Sequence, residues 1–273
     1  MLTETATQLP RNETELLAFF EELALAAGRE IMRHFEAGFD VDHKADASPV
    51  TEADRAAERI ILDGLRTKLG ATPCVSEEAA SAGVLPVCDG DFLLVDPLDG
   101  TREFINRRQD FTVNIALVRD GTPVLGVVYA PARTTLYSGR PGVAFEAQCP
   151  GGLSIGSRRE IKTRARSAPL VIVASRSHAT PETAEFIARY SGAETVSVGS
   201  SLKFCMLAAG EADLYPRFGR TMQWDTAAGD AVLRAAGGRT VNTDGTTLTY
   251  GPKDGEGLEA FANPFFIAEG RAA

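Results

Sequence analysis

The chain has 273 residues, of which 44% are hydrophobic, and its formal net charge is −9. This size and hydrophobic content allow one large domain or two medium ones with a sizeable core. The negative charge argues against nucleic acid or an anionic membrane surface as the main partner, so an anionic substrate would need a local positive site or a metal.

The first part of the chain predicts two helices. Apolar residues fall at helical spacing over residues 13–35, and Gly38 is placed to end this helix. After a polar loop, residues 51–70 predict a second helix, whose start Thr51-x-x-Asp54 resembles a capping box with Asp in place of Glu.

A run of strands follows these helices. Residues 92–95 are short and fully apolar, which is typical of a buried strand. The segment FTVNIALVRDGTPVLGVVYA predicts two strands joined at Asp120-Gly121, a strong hairpin signal, and TLYSGR continues the meander. The first half therefore predicts two helices beside an antiparallel sheet.

Polar and basic sequence at residues 157–167 separates the two halves. We predict an N-terminal subdomain over residues 1–157 and a C-terminal subdomain over residues 158–273. In the second half strands alternate with helices (PLVIVAS, TPETAEFIARYSG, ETVSVGS, SLKFCMLAAGEA, DLYPRF and DTAAGDAVLRAAGG), and the last helix is closed by Gly237-Gly238. This order predicts an α/β arrangement with a largely parallel or mixed sheet.

Acidic residues recur where predicted elements begin or end. Asp96 and Asp99 follow the buried strand in FLLVDPLDGTREF, and Glu77 and Glu78 follow the strand-like PCVS. Asp225 stands at the N-cap of an Ala-rich helix, and Asp54 lies in the first turn of the second helix. Ionised carboxylates side by side repel and are costly to bury without a partner. An oxygen-only cluster of Glu77, Asp96, Asp99 and Asp225 would suit Mg²⁺ or another hard divalent cation.

Gly100 and Thr101 begin a predicted helix directly after these aspartates, so their backbone N–H groups could cradle a phosphate beside the metal. The combination points to metal-assisted hydrolysis of a phosphate ester. Taken singly, each piece has a structural alternative. Asp54 and Asp225 could only cap helices, Glu77 and Glu78 could be solvated loop charges, and DPLDG could be an ordinary turn.

The motif series resembles a known family. DPLDGTREF and WDTAAGDAVLRAAGG are similar to the two signatures of the inositol monophosphatase superfamily of metal-dependent, lithium-sensitive phosphatases. The ordered series KADASPVTEAD, SEE, DPLDGTREF, FTVNIALV, LGVVYAP, SRSH, GSSLKFC, LYPRFG and WDTAAG resembles the CysQ-type 3′(2′),5′-bisphosphate nucleotidases within it. The resemblance implies an αβαβα sandwich with an antiparallel N-terminal sheet and a mixed C-terminal sheet.

The same resemblance implies roles for individual residues. Two or three Mg²⁺ ions would be bound by Glu77, Asp96, the carbonyl of Leu98, Asp99 and Asp225. Asp54 and Thr101, with Glu77, would activate the attacking water. Substrate would be contacted by Gly100, Thr101, Ser175, His178, Ser200, Lys203, Arg217 and Asp225, with Arg176 adding to the positive patch. Arg102 departs from the lysine that more often follows DGT, but keeps the charge.

The implied activity is hydrolysis of the 3′-phosphate of adenosine 3′,5′-bisphosphate, with 3′-phosphoadenylyl sulfate as a second candidate substrate, in a role linked to sulfate assimilation. The alternatives are an inositol or sugar-phosphate phosphatase of the same superfamily, and a nucleotide or cation sensor without turnover. No CxxC pair occurs among the four cysteines, and no apolar stretch could serve as a signal peptide or membrane span. We expect a cytoplasmic monomer or homodimer, with peripheral association at the inner membrane as an alternative.

Overall fold

The chain folds as alternating layers of helices and sheets. The computed structural model describes residues 12–44, 49–166, 168–176 and 180–271. Within these ranges, two helices cover one face of a seven-stranded sheet, two helices fill the space between it and a five-stranded sheet, and one helix covers the far side. No helix in them has the length and apolar character needed to cross a bilayer.

The first outer layer consists of α1 (Glu13–Ala37) and α2 (Glu52–Leu69), which confirms both predicted helices. Gly38 ends α1 with a positive φ of 95°, as the sequence predicts. Two short antiparallel strands, β1 (Val41–His43) and β2 (Pro49–Thr51), stand between the helices.

The predicted capping box at the start of α2 is present. The hydroxyl of Thr51 accepts a hydrogen bond from the Ala53 N–H, and Oδ2 of Asp54 accepts one from the Thr51 N–H at 2.8 Å. The reciprocal pair satisfies donors that a helix start leaves open. Asp54 is therefore held by its own helix, with one carboxylate oxygen left for other partners.

The large sheet follows chain order and is antiparallel except for its first pair, which is parallel. Its strands are β3 (Cys74–Ser76), β4 (Phe92–Asp99), β5 (Thr112–Arg119), β6 (Thr122–Ala130), β7 (Thr135–Arg140), β8 (Val143–Gln148) and β9 (Arg158–Ile161). Two short helices, α3 (Glu77–Ser81) and α4 (Thr101–Ile105), follow β3 and β4. Alternate residues of the central strands enter two different cores, which explains why these strands are apolar throughout.

The second sheet is mixed, as predicted: β10 pairs in parallel with β11 and β12, and β14 pairs antiparallel with β12 and β13. Its strands are β10 (Val171–Ser175), β11 (Glu194–Val198), β12 (Leu214–Arg217), β13 (Arg239–Asn242) and β14 (Phe266–Glu269). The helices of this half are α5 (Pro181–Ala188) on the outer side, and α6 (Leu202–Ala208) and α7 (Ala227–Ala235) in the middle layer.

The division into two subdomains at residue 157 remains a prediction, but sheet membership does not follow that limit. Strand β9 pairs antiparallel with β8 and forms the edge of the large sheet. Three of its four residues are exposed, so an edge strand here can carry the charges that made the segment resemble a linker. Helix α7 also crosses the limit, because it packs on β5, β6 and β7.

Helix α7 approaches the large sheet closely because glycines face it. A Cβ atom at Gly126 of β6 would lie 2.3 Å from the carbonyl oxygen of Ala228, and one at Gly139 of β7 would lie 2.8 Å from Cα of Val232. Contacts this short exclude any side chain, so backbone packs on backbone. The distance between helix and sheet is therefore set by these two glycines.

We predict that Gly126→Ala lowers the free energy of unfolding by about 1–3 kcal/mol, because the added methyl group must push α7 away from the sheet. Denaturant unfolding measures the change. Gly270→Ala is the control: its Cβ would meet no atom nearer than 3.5 Å, so it should be neutral or stabilising by up to about 1 kcal/mol. Equal stability of the two variants would contradict the close packing.

Candidate active site

The predicted site residues line one cleft of about 210 Å³ between the two halves of the chain. The lining includes nine of them: Glu77, Asp99, Gly100, Thr101, Ser175, Ser200, Lys203, Arg217 and Asp225. Three more, Asp54, Asp96 and Leu98, are 1–2% exposed and lie next to this lining. The structure thus brings together residues that are up to 171 positions apart (54 to 225).

The carboxylates of the cleft destabilise one another's ionised forms. Burial, followed by the negative charges of Glu77, Asp99 and Asp225, raises the pKa of Asp96 well above its usual value. Burial and the charges of Asp99 and Glu77 do the same to the pKa of Asp225. A hard divalent cation is the partner that would offset this repulsion, so the chemistry of the donor set fits such an ion.

Lys44 occupies part of this acidic cluster. Its Nζ donates to Oε1 of Glu77 and to Oε1 of Glu78, each at 2.6 Å. Burial alone would lower the pKa of Lys44, but the two carboxylates outweigh it and raise that pKa. As the side chains stand, no three acidic, His or Cys groups in the described ranges are arranged to hold a metal ion. For Glu77 to serve as a ligand, it would exchange its lysine partner for the ion.

Asp54 and Thr101 form the pair that the sequence analysis proposed. Oγ1 of Thr101 lies 3.1 Å from Oδ1 of Asp54 and 3.3 Å from the carbonyl oxygen of Leu98. Burial raises the pKa of Asp54 to about 6, although hydrogen bonds from Thr51 oppose the increase. Asp54 is therefore both the capping residue of α2 and a neighbour of the Thr101 hydroxyl.

The turn between β4 and α4 carries Gly100 at the N-cap, in a left-handed conformation with φ of 95°. A Cβ atom there would lie 3.0 Å from the carbonyl oxygen of Asp110. Both the positive φ and this close contact favour glycine at the position. Helix α4 has five residues, too few for a substantial helix dipole. Any phosphate bound here would depend on individual N–H groups.

Lys203 is buried, which corrects the alternative of an ordinary exposed helix lysine. It is 5% exposed, its Nζ donates to the carbonyl oxygen of Ser200, and the same atom lies 5.3 Å from the ring centroid of Tyr215. Burial lowers its pKa to about 8, with Asp99 opposing and Arg217 reinforcing the effect. A buried cation that lines the cleft offers a strong contact to an anion.

Some predicted residues are not in the cleft lining. Arg176 donates to Asp110 and, at 2.9 Å, to the Ser197 carbonyl. His178 lies outside the described residues.

Asp225 does not occupy the N-cap of α7; Thr226 does. Asp225 instead ends a 3₁₀ turn (Gln223–Asp225), where its Oδ2 accepts a hydrogen bond from the Met222 N–H at 2.8 Å. The prediction of the N-cap was wrong by one position because the short turn precedes the helix.

Three residues of the site were missed from the sequence: Lys44, Asn114 and Ser201. Asn114 is 0% exposed and donates to both Asp99 and Ser201. A lone amide in the apolar run FTVNIALV was a usable signal, because a buried amide must be hydrogen-bonded. Lys44 gave no such signal, since its contact with Glu77 depends on the tertiary fold.

The chain is similar to known phosphatases over most of its length. It matches the family model described as the inositol monophosphatase family over residues 12–267. It is 47% identical over 247 residues to the 3′(2′),5′-bisphosphate nucleotidase CysQ of Escherichia coli strain K12, covering 90% of this chain and 96% of that one.

Solved structures agree with the sequence comparison. CysQ of Bacteroides thetaiotaomicron has 36% identity and a TM-score of 0.77, covering 95% of this chain and 98% of that one. An IMPase of Thermotoga maritima has 25% identity and a TM-score of 0.74, covering 93% and 92%. The chain therefore belongs to the inositol monophosphatase family, whose phosphatases are generally metal dependent.

Proposed function

We propose that this protein hydrolyses the 3′-phosphate of adenosine 3′,5′-bisphosphate to give AMP and phosphate, in a role linked to sulfate assimilation. The observation that carries the proposal is a single cleft that brings acidic and basic side chains together. It holds the acidic cluster with the Asp54–Thr101 pair, and its lining also includes the buried cations Lys203 and Arg217. Relatives that align along most of the chain are named as nucleotidases for this substrate class.

The acidic cluster would hold two or three Mg²⁺ ions. The proposed ligands are the carboxylates of Glu77, Asp96, Asp99 and Asp225 and the carbonyl oxygen of Leu98. When bound, the ions neutralise charge on the transferring phosphoryl group and on the leaving oxygen.

The chain's own contribution to proton transfer comes from Asp54 and Thr101. The Thr101 hydroxyl donates to Oδ1 of Asp54 and so directs its oxygen lone pairs toward a water in the cleft. That water would give up a proton through the hydroxyl to Asp54 as it attacks phosphorus in line with the ribose 3′ oxygen; the bond from phosphorus to that oxygen would break, and the ribose would leave with the electron pair. A carboxylate whose pKa is about 6 is ionised at neutral pH and still basic enough to accept the proton.

The second phosphate of the substrate would be held by the basic side chains of the cleft. Lys203 and Arg217 are 5% and 7% exposed, and both line the cleft. Arg102, at the rim, adds an exposed guanidinium. Adenosine 3′,5′-bisphosphate offers these groups a second anion and an inositol monophosphate does not, so the charge-assisted contact is available only to the bisphosphate. We favour the nucleotidase over the inositol or sugar-phosphate alternative on this ground.

We further propose a cytoplasmic location, which fits cysteines that are all free in the structure (Cys74, Cys88, Cys149 and Cys205).

The first prediction from this proposed function concerns Asp96. Asp96→Asn should lower turnover by about 10³-fold or more, since a neutral amide cannot replace the ligand's charge and metal assistance is worth several kcal/mol. Without metal, the variant should melt no lower than the wild type, because a neutral amide replaces a carboxyl group whose ionised form the cluster disfavours. Phosphate release and thermal melting with and without Mg²⁺ measure both effects. Substantial remaining activity at saturating Mg²⁺ would show that Asp96 is not a ligand.

The second prediction separates capping from catalysis at Asp54. Asp54→Asn can still accept the Thr51 hydrogen bond, so unfolding should change by less than about 1 kcal/mol, while kcat falls by about 10²-fold or more. The matched control, Thr51→Ala, removes the capping hydroxyl and should cost about 1 kcal/mol with a much smaller loss of rate. If the two variants lose rate equally, Asp54 acts only as a cap.

The third prediction tests the substrate. Phosphate release should be fastest from adenosine 3′,5′-bisphosphate in a panel with inositol 1-phosphate and fructose 1,6-bisphosphate. Lys203→Met keeps the chain length of the buried side chain but removes its charge. It should lower kcat/KM for the bisphosphate by about 10-fold or more, and change adenosine 3′-monophosphate by less than about 3-fold, because that substrate lacks the second phosphate.

The control for this experiment is Lys162→Met, an exposed lysine outside the cleft, which should leave both substrates unchanged. Two results would replace the nucleotidase proposal with a general sugar-phosphatase activity. One is an equal loss of kcat/KM for both adenosine substrates in Lys203→Met. The other is equal turnover of inositol 1-phosphate and the bisphosphate by the wild type.

A further inference from the structure

Asn114 is a buried amide in the middle of an apolar strand. It lies in β5 between Val113 and Ile115, and all three residues are 0% exposed. Burying an amide without partners costs several kcal/mol, so its hydrogen bonds identify what it supports.

Every hydrogen-bonding group of the Asn114 amide is used. Its Nδ2 donates to Ser201 Oγ at 2.9 Å and to Asp99 Oδ2 at 3.3 Å, and its Oδ1 accepts from Thr112 Oγ1 at 3.0 Å. An ionised carboxylate only accepts hydrogen bonds, so the NH₂ group must face Asp99. The orientation of the amide is therefore determined.

Ser201 extends this contact to the other half of the chain. Its hydroxyl accepts from Asn114 and lies 2.6 Å from the carbonyl oxygen of Asp225 and 3.1 Å from Oδ2 of Asp99. One amide of the large sheet is thus connected to two of the four residues of the acidic cluster. These two residues come from different halves of the chain.

The carboxylate of Asp99 is anchored differently from two others in the cluster. Asp96 accepts from the Leu98 backbone N–H, and Asp225 accepts from the Met222 backbone N–H. In the described part of the chain, Asp99 accepts instead from two side chains, Asn114 and Ser201. Side-chain replacement can therefore release Asp99 while leaving its neighbours anchored.

We propose that Asn114 is a positioning residue that orients Asp99 for cation binding and so sets the affinity of the cleft for Mg²⁺. This inference rests on the proposed metal-dependent function. The Asn114 amide and the Ser201 hydroxyl hold Oδ2, which would restrict rotation of the carboxylate and leave Oδ1 for a cation. Outer hydrogen bonds of this kind typically contribute 10–100-fold to metal affinity.

The test is a calorimetric titration of the substrate-free protein with Mg²⁺. Asn114→Leu keeps a similar volume but removes all three hydrogen bonds, and should raise the Kd for Mg²⁺ by about 10–100-fold. At saturating Mg²⁺ its kcat should recover to within a few-fold of the wild type, because Asn114 does not contact the substrate. The control is Asn242→Leu, which removes a strand amide bonded to Thr246 away from the cleft and should leave the Kd unchanged.

Ser201→Ala removes only a hydroxyl and provides a second variant if Asn114→Leu does not fold; its Kd should rise as well, by several-fold. A folded variant at either position with lower thermal stability but the wild-type Kd would overturn the proposal, since the network would then be merely structural. Wild-type protein that binds no Mg²⁺ would overturn the proposed metal dependence itself. Turnover of other phosphate esters alone would reject the substrate but leave the role of Asn114 intact.

Discussion

The structure is organised around the cost of placing several carboxylates in one buried space. Asp96 and Asp225 have strongly raised pKa values, because burial and neighbouring negative charges both oppose ionisation. A fold does not place such groups together for stability, since unpaired buried charge is among the most expensive features a protein can carry. The arrangement is explained by a ligand that reverses the sign of the interaction, and a divalent cation does so. Lys44 reduces the same repulsion through Glu77 and Glu78.

Holding the cluster together requires that the two halves of the chain keep a fixed separation. Asp96 and Asp99 end a strand of the large sheet, whereas Asp225 lies in the turn that leads into α7. The position of Asp225 therefore depends on how closely α7 packs on the sheet, and Gly126 sets that distance by allowing backbone contact. Close packing in the core thus contributes to the geometry of the site. Asn114 and Ser201 make the same connection at the cleft itself.

Sequence patterns predicted the features that depend on local rules. The helical spacing of α1, the capping box of α2 and the Asp120-Gly121 hairpin each follow from neighbours within a few residues, and the structure confirms them. The series of motifs also predicted that the acidic residues lie in one site. Features that depend on tertiary contacts were less predictable. The basic segment that the sequence places between the two halves contains β9, because an edge strand tolerates charge, and the sequence left an exposed lysine as an alternative for Lys203, which the structure buries. Contacts such as Lys44 with Glu77 have no local signature at all.

The mixture of acidic and basic side chains in the cleft also implies an order of events. Before a cation binds, the carboxylates repel a phosphate, and the basic side chains of the lining, Arg102, Lys203 and Arg217, oppose that repulsion. With cations bound to the carboxylates, the charge of the lining would favour a substrate with two phosphates. Because binding linkage is reciprocal, such a substrate must in turn tighten the binding of the cations. A monophosphate carries less charge and gains less from this coupling. The preference for a bisphosphate would then arise from the charge pattern of the whole cleft, in a protein whose net charge of −9 would otherwise repel it.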